Sequence, residues 1–159
     1  MALEDDVRTF RAALSTAGAA DCFEPPSWSE LEWTRLFQRG AAVSFEAGKP
    51  ILRRGATDRG LYFLVRGRAE VFTSDAASMS IPPLSRVVPG CVVGEVAFFD
   101  GKPRSASVWA VEPCNFLHIT HEQFGEFEAE HPGLARDVLY AFGVVMAARL
   151  RYNAGRFAG

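Results

Sequence analysis

Two hydrophobic periods alternate along the chain and divide it into three parts. Near the start, Val7, Phe10 and Leu14 recur at spacings of three and four, which places them on one face of a helix over residues 4–14. The acids at its beginning suit the positive end of a helix dipole. The segment STAGAADCFEPP breaks the pattern. A second helix is expected over SWSELEWTRLF, capped by Ser27 or Ser29, with Trp28, Leu31 and Leu36 buried. Ser29 and Glu32 have the spacing of a capping box.

From residue 40 the period shortens. The apolar runs AAVSF, PILRR, LYFLV, AEVF, SRVV, VVGEVAFF, ASVWA and CNFLHI are separated by Gly, Pro and Asp. Short strands with turns at this frequency predict a β-roll or barrel. Gly67, between two alternating runs, fits a hairpin turn, and Asp58 and Gly60 mark a turn before Leu61. Residues 74–83, SDAASMSIPP, read as a loop or irregular edge, because two prolines oppose a central strand.

After residue 119 the helical period returns. Thr120 can cap HEQFGEFEAEH, where Phe124 and Phe127 form a small apolar face. Pro132 fits the first turn of a long final helix with Leu134, Val138, Phe142, Val145 and Leu150 in a stripe. Gly143 interrupts it, and the tail NAGRFAG is expected to fray. Helical ends around a β-roll make an α+β protein. Residues 1–39 form the N-terminal helices, 40–120 the roll, and 121–159 the C-terminal helices, the last of which could pack on its own roll, act as a lid or pair with a second subunit.

Composition narrows this picture without changing it. A chain of 159 residues with 48% hydrophobic residues suits one domain with a core. The net charge of −2 provides no global attraction to nucleic acid. The start, MALEDDVRTF, lacks the pattern of a secretion signal. The most apolar part of the last helix is too short to cross a bilayer, so a soluble, cytoplasmic protein without direct membrane insertion is expected, alone or as the soluble part of a membrane protein. Cys22, Cys91 and Cys114 have no metal-site spacing and are expected to be reduced, mostly buried thiols. His118, His121 and His131 form no ligand motif, so no metal site is expected.

The chemistry concentrates in VVGEVAFFDGKPRSASVWA, residues 92–110, where one acid, Glu95, and one arginine, Arg104, sit in an apolar run. Glycines at 94 and 101 permit tight turns, and the segment between them is short enough for a helical turn with free N–H groups at its start. An arginine fork matches phosphate oxygens, while a carboxylate accepts hydrogen bonds from a sugar hydroxyl. Two readings of the pair therefore stand: a salt bridge that organises a loop, or two groups that address the ribose and phosphate of one nucleotide.

The chain resembles the cyclic nucleotide-binding domain family from about Phe37 to Asn153. FEAGKPILRRGATDRGLYFLVRGRAEVF is similar to the family's opening strands, and GEVAFFDGKPRSASV to its phosphate-binding cassette, here 94–107. This resemblance implies a cyclic nucleotide-binding β-roll, antiparallel and jelly-roll-like, with cAMP or cGMP as ligand and no other cofactor. Glu95 and the Gly94 backbone would hold the ribose 2′-hydroxyl. Arg104 would pair with the cyclic phosphate, assisted by the N–H groups of Ala97 and Ser105, and Val93 would touch the purine. Arg149, Leu150 and Tyr152 are the candidate lid residues. Ser105 bears on the base, with cAMP favoured. Phe98 and Phe99 replace residues that are often aliphatic and would either support the cassette or crowd the pocket.

No catalytic grouping of nucleophile, metal ligands or acid–base pair is evident, so a regulatory module rather than an enzyme is expected. With eight residues after Arg151, no helix-turn-helix is expected to follow. The ending VVMAARLRYNAG resembles modules fused to bacterial anion transporters, so the partner would be an attached effector or transporter domain, or a second copy in a homodimer. The competing readings are a ligand-free roll that acts as a protein-interaction or dimerisation module, and an unusual phosphoesterase.

Overall fold

The structure, a computed structural model, describes residues 2–16, 23, 27–73 and 82–157. Cys22 and residues 74–81 of the expected loop lie outside the described residues. Two helices, α1 (Ala2–Thr16) and α2 (Glu30–Phe37), precede the strands β1 (Ala41–Phe45), β2 (Pro50–Leu52), β3 (Leu61–Arg66), β4 (Ala69–Phe72), β5 (Ser85–Val87) and β6 (Val92–Val93). A short helix, α3 (Glu95–Asp100), interrupts the strands. Then come β7 (Ser107–Ala110), β8 (Cys114–Ile119), α4 (His121–Glu130) and α5 (Pro132–Phe157).

The strands form two four-stranded sheets in the orders β1-β8-β3-β6 and β2-β7-β4-β5. Neighbouring strands in both sheets pair antiparallel. The run LYFLV in β3 is apolar throughout because both of its faces are covered. Leu61, Phe63 and Val65 point into a core shared with the helices, while Leu64 points into a second core between the sheets. The β8 partners follow the same division: Leu117 lies opposite Phe63, and Phe116 opposite Leu64.

The helical core is aromatic. Phe10 packs on Trp33, Phe37 and Phe63, and Phe23 on Phe63 and Phe142. The Trp28 indole N–H donates to Asp137 at 3.0 Å, which ties the approach to α2 to α5. Ser29 starts α2 as expected, its N–H donating to Glu32 Oε2 at 2.6 Å. Thr120 starts α4, its hydroxyl accepting from the Gln123 N–H at 3.0 Å. Cys91 and Cys114 are buried.

Four local expectations are corrected. Leu31 is 59% exposed, because Trp33, Leu36 and Phe37 already supply the buried face of the two-turn α2. Leu150 is also exposed rather than part of the core stripe. The buried positions of α5 end at Val145, beyond which the helix borders an open cavity rather than packed side chains. The tail does not fray at Asn153, since α5 continues through Phe157. The run VVGEVAFF is not one strand: Gly94 adopts a positive φ of 94° that ends β6 and starts α3, the helical turn expected between Gly94 and Gly101.

Candidate functional site

One cavity of about 1080 Å³ lies between the second sheet, the cassette and the last turns of α5. Its floor is apolar, with Leu52, Val71, Val93 and Val108. Gly94, Glu95, Ala97, Arg104 and Ser105 line one wall. Met146, Arg149, Leu150 and Tyr152 of α5 line the opposite side. The cavity thus brings together every site residue expected from the sequence.

The backbone holds Arg104 first. Its N–H donates to the Ala56 carbonyl at 2.7 Å, and its carbonyl accepts from the Gly55 N–H at 2.9 Å. Its side chain is only 2% exposed, and buried charge of this kind needs compensation. Nη1 donates to the Gly94 carbonyl at 2.9 Å and Nη2 to the Gly60 carbonyl at 2.8 Å. Asp58 completes the set, accepting from Nε at 3.3 Å and from Nη2 in a very close contact. A Cβ on Gly94 would lie 2.6 Å from the Gly60 carbonyl and 2.7 Å from Arg104 Nη1, so the guanidinium fits only against glycine here.

Hydrogen bonding from Arg104 holds the Asp58 carboxyl below its ordinary pKa, against the opposing effect of burial. On its far side Asp58 lines a smaller cleft with His118 and His121. The His118 ring stacks on Tyr62 at 4.3 Å. Burial pushes the His118 pKa down, the Asp58 charge pulls it up, and the Arg104 charge adds to the downward push. Burial raises the Tyr62 hydroxyl pKa.

Glu95 opens α3 and is also buried. It does not pair with Arg104, so the salt-bridge reading of the two is corrected. Its Oε1 accepts from Arg149 Nη1 at 2.5 Å, and Arg149 Nη2 donates to the Val92 carbonyl at 2.7 Å. The backbone path separates the two charges: α3 carries Glu95 toward α5, while the 58–60 turn captures Arg104. Each charge therefore has its own partner from a different part of the chain.

Phe98 and Phe99 do not line the cavity. Phe98 is buried beneath α3 against Phe124 at 5.1 Å and Phe142 at 6.1 Å. Phe99 packs at the edge of Phe142 and stays partly exposed. Both support the cassette and connect it to α4 and α5.

Asp58 was missed as a site residue, because an acid beside a glycine reads as turn chemistry. The usable signal was the arginine: a buried guanidinium calls for an anionic partner. The apolar floor was also missed, since Leu52, Val71 and Val108 read as ordinary strand residues.

Chemically, the cavity offers a guanidinium for an anion and a carboxylate for a hydroxyl. Its apolar floor suits a flat ring. A cyclic nucleotide-binding domain model matches residues 42–131. A solved cyclic nucleotide-binding domain from Methylobacillus flagellatus has the same fold, with a TM-score of 0.78 at 23% identity, covering 94% of this chain and 83% of that one. The chain is 30% identical to the Pycsar effector protein BcPycTIR of Burkholderia cepacia, over 59% of this chain and 29% of the relative. It is 38% identical to a cAMP-dependent protein kinase regulatory subunit of Aspergillus fumigatus, over 52% of this chain and 19% of the relative. The match thus spans less than a third of either relative's length. Among the described residues, no helix is long and apolar enough to cross a membrane. By matched sequence and by fold, the chain belongs to the cyclic nucleotide-binding domain family.

Proposed function

We propose that this chain is a non-catalytic cyclic nucleotide sensor that binds cAMP in preference to cGMP and signals through α5. The observation that carries this reading is the placement of Arg104 and Glu95 on one cavity wall, with Arg149 of α5 bonded directly to Glu95. Arg104 meets the cyclic phosphate, Glu95 the ribose 2′-hydroxyl, and the apolar floor the purine. The N–H groups of Ala97 and Ser105 assist at the phosphate, and Ser105 borders the base.

Ligand binding then competes with contacts already made. A ribose hydroxyl on Glu95 competes with Arg149, and a phosphate on Arg104 shares the guanidinium with Asp58. Displacing Arg149 changes the tether of α5, whose Leu150 and Tyr152 are exposed at the cavity mouth. A ligand shifts such an equilibrium only by its differential affinity for the two α5 positions. Phe98 transmits the cassette's movement to Phe124 and Phe142. The output passes to a domain attached to α5, in keeping with relatives in which the matched region is a minor part.

The internal pairing of both charges also suits a roll that binds no nucleotide and serves protein contacts. Calorimetric titration with cAMP and cGMP separates the two readings. Saturable cAMP binding that weakens in Glu95→Gln supports the sensor. No binding of either nucleotide at millimolar concentration refutes it.

A further inference from the structure

The three residues 58–60, in the β2–β3 connection, each bond to the cassette. Asp58 and the Gly60 carbonyl hold the Arg104 guanidinium. Arg59, between them, points to α3. Its Nε donates to the Ala97 carbonyl at 3.2 Å and its Nη2 to the Phe98 carbonyl at 2.7 Å. These carbonyls belong to the last turn of α3, where a helix lacks N–H partners of its own. The Gly101 N–H reaches the Ala97 carbonyl at 3.0 Å, and Arg59 supplies further donors. A cation there also lies at the negative end of the helix. With six residues, α3 is far too short to be stable without such tertiary support.

The consequence is geometric. Glu95 rides on α3, which Arg59 holds. Arg104 lies outside α3 and is held by Asp58, Gly60 and the Gly94 carbonyl. Residues 58–60 therefore bond to both sides of the site, to the last turn of the helix that carries Glu95 and to the guanidinium of Arg104.

We propose that Arg59 is a positioning residue of the nucleotide site, one that touches no ligand but holds Glu95 at the distance from Arg104 that lets one cyclic nucleotide engage both. This rests on the sensor reading. Once Arg59 is removed, phosphate and 2′-hydroxyl no longer reinforce each other.

The test uses the full chain, Arg59→Ala and Arg59→Lys, titrated with cAMP and 2′-deoxy-cAMP, or with the guanine pair if only cGMP binds. In the parent chain the 2′-hydroxyl should strengthen binding about tenfold, the size of one hydrogen bond to a charged group. In Arg59→Ala the cyclic nucleotide should bind about tenfold more weakly, and the 2′-hydroxyl advantage should shrink to about twofold. Arg59→Lys, with one cationic donor group in place of a fork, should recover part of both. Amide hydrogen exchange should quicken at residues 95–101 in Arg59→Ala and stay unchanged in β3 and β8. Affinity unchanged in Arg59→Ala, or lowered with the 2′-hydroxyl advantage intact, overturns the positioning role. Should the parent chain bind neither nucleotide, the sensor reading fails by itself. Exchange at 95–101 then decides the inference: acceleration in Arg59→Ala retains Arg59 as the residue that holds Glu95 in place, and no acceleration overturns it.

Discussion

Replacing Arg104 with alanine perturbs stability and ligand binding through one guanidinium, and separate assays read the two effects. For stability, the substitution removes the donors to the Gly60 and Gly94 carbonyls. A buried acceptor left unsatisfied costs about 1–3 kcal/mol, and water entering from the adjoining cavity reduces this toward the lower end. Asp58 loses its partner, but its side chain is 52% exposed and rehydrates, so its share is at most about 1 kcal/mol. The desolvation cost of the buried guanidinium disappears at the same time. The net expectation is a loss of about 2 kcal/mol, or roughly 4–8 °C in Tm for a domain of this size. For binding, loss of a charge-assisted contact to phosphate in a partly dry site should weaken cAMP at least about 30-fold. Thermal unfolding at neutral pH measures the first effect, and calorimetric titration of the folded variant measures the second. A double-mutant cycle with Asp58→Asn should return a coupling of about 1 kcal/mol. An Arg104→Ala protein with unchanged Tm would refute the anchoring argument. One that binds cAMP within about threefold of the parent would refute the phosphate assignment.

Three further outcomes are expected. Gly94→Ala combines a positive φ of 94° with a Cβ driven into the Gly60 carbonyl and Arg104 Nη1, so it should lose about 2–4 kcal/mol in chemical denaturation and abolish nucleotide binding. Arg149→Ala removes the tether to Glu95 and the Val92 carbonyl; amide exchange over residues 146–155 should rise while β3 stays protected, and equal protection across α5 would refute the tether. The pH dependence has two parts, both with unfolding favoured by acid. Asp58 titrates lower in the folded chain than its ordinary 3.8, so its contribution is present above that value and lost as pH falls through the folded value. His118 also titrates below its ordinary 6.5, so the unfolded chain takes up its proton first and stability falls as pH drops from 6.5 toward the folded value. Denaturation of His118→Gln between pH 7 and 5 should show a shallower decline, and Asp58→Asn a shallower decline near pH 4. Parallel curves would refute the assignments.

The local chemistry of the chain was legible because it depends on short-range pattern. Spacings of three and four marked the helices, and apolar runs between turn residues marked the strands. Ser29 and Thr120 announced helix starts. Glycines around a short segment, with an acid and an arginine, marked the cassette, and its resemblance marked the family. Where these expectations failed, tertiary packing intervened. Leu31 fits a helical face that finds no surface to cover, and Leu150 fits a stripe that borders a cavity instead of the core.

The sequence by itself determined which groups are available: one arginine, one carboxylate, the glycines that let the backbone approach them, and an apolar helix long enough to reach over the roll. Only the tertiary structure decided how those groups pair. Asp58 meets Arg104 across 46 residues, and Arg149 meets Glu95 across 54. No periodicity spans such distances, because a side chain's partner is set by how two sheets and a helix pack, not by its neighbours in the chain. The same packing turned an acid and an arginine nine residues apart into two separately held charges on one cavity wall.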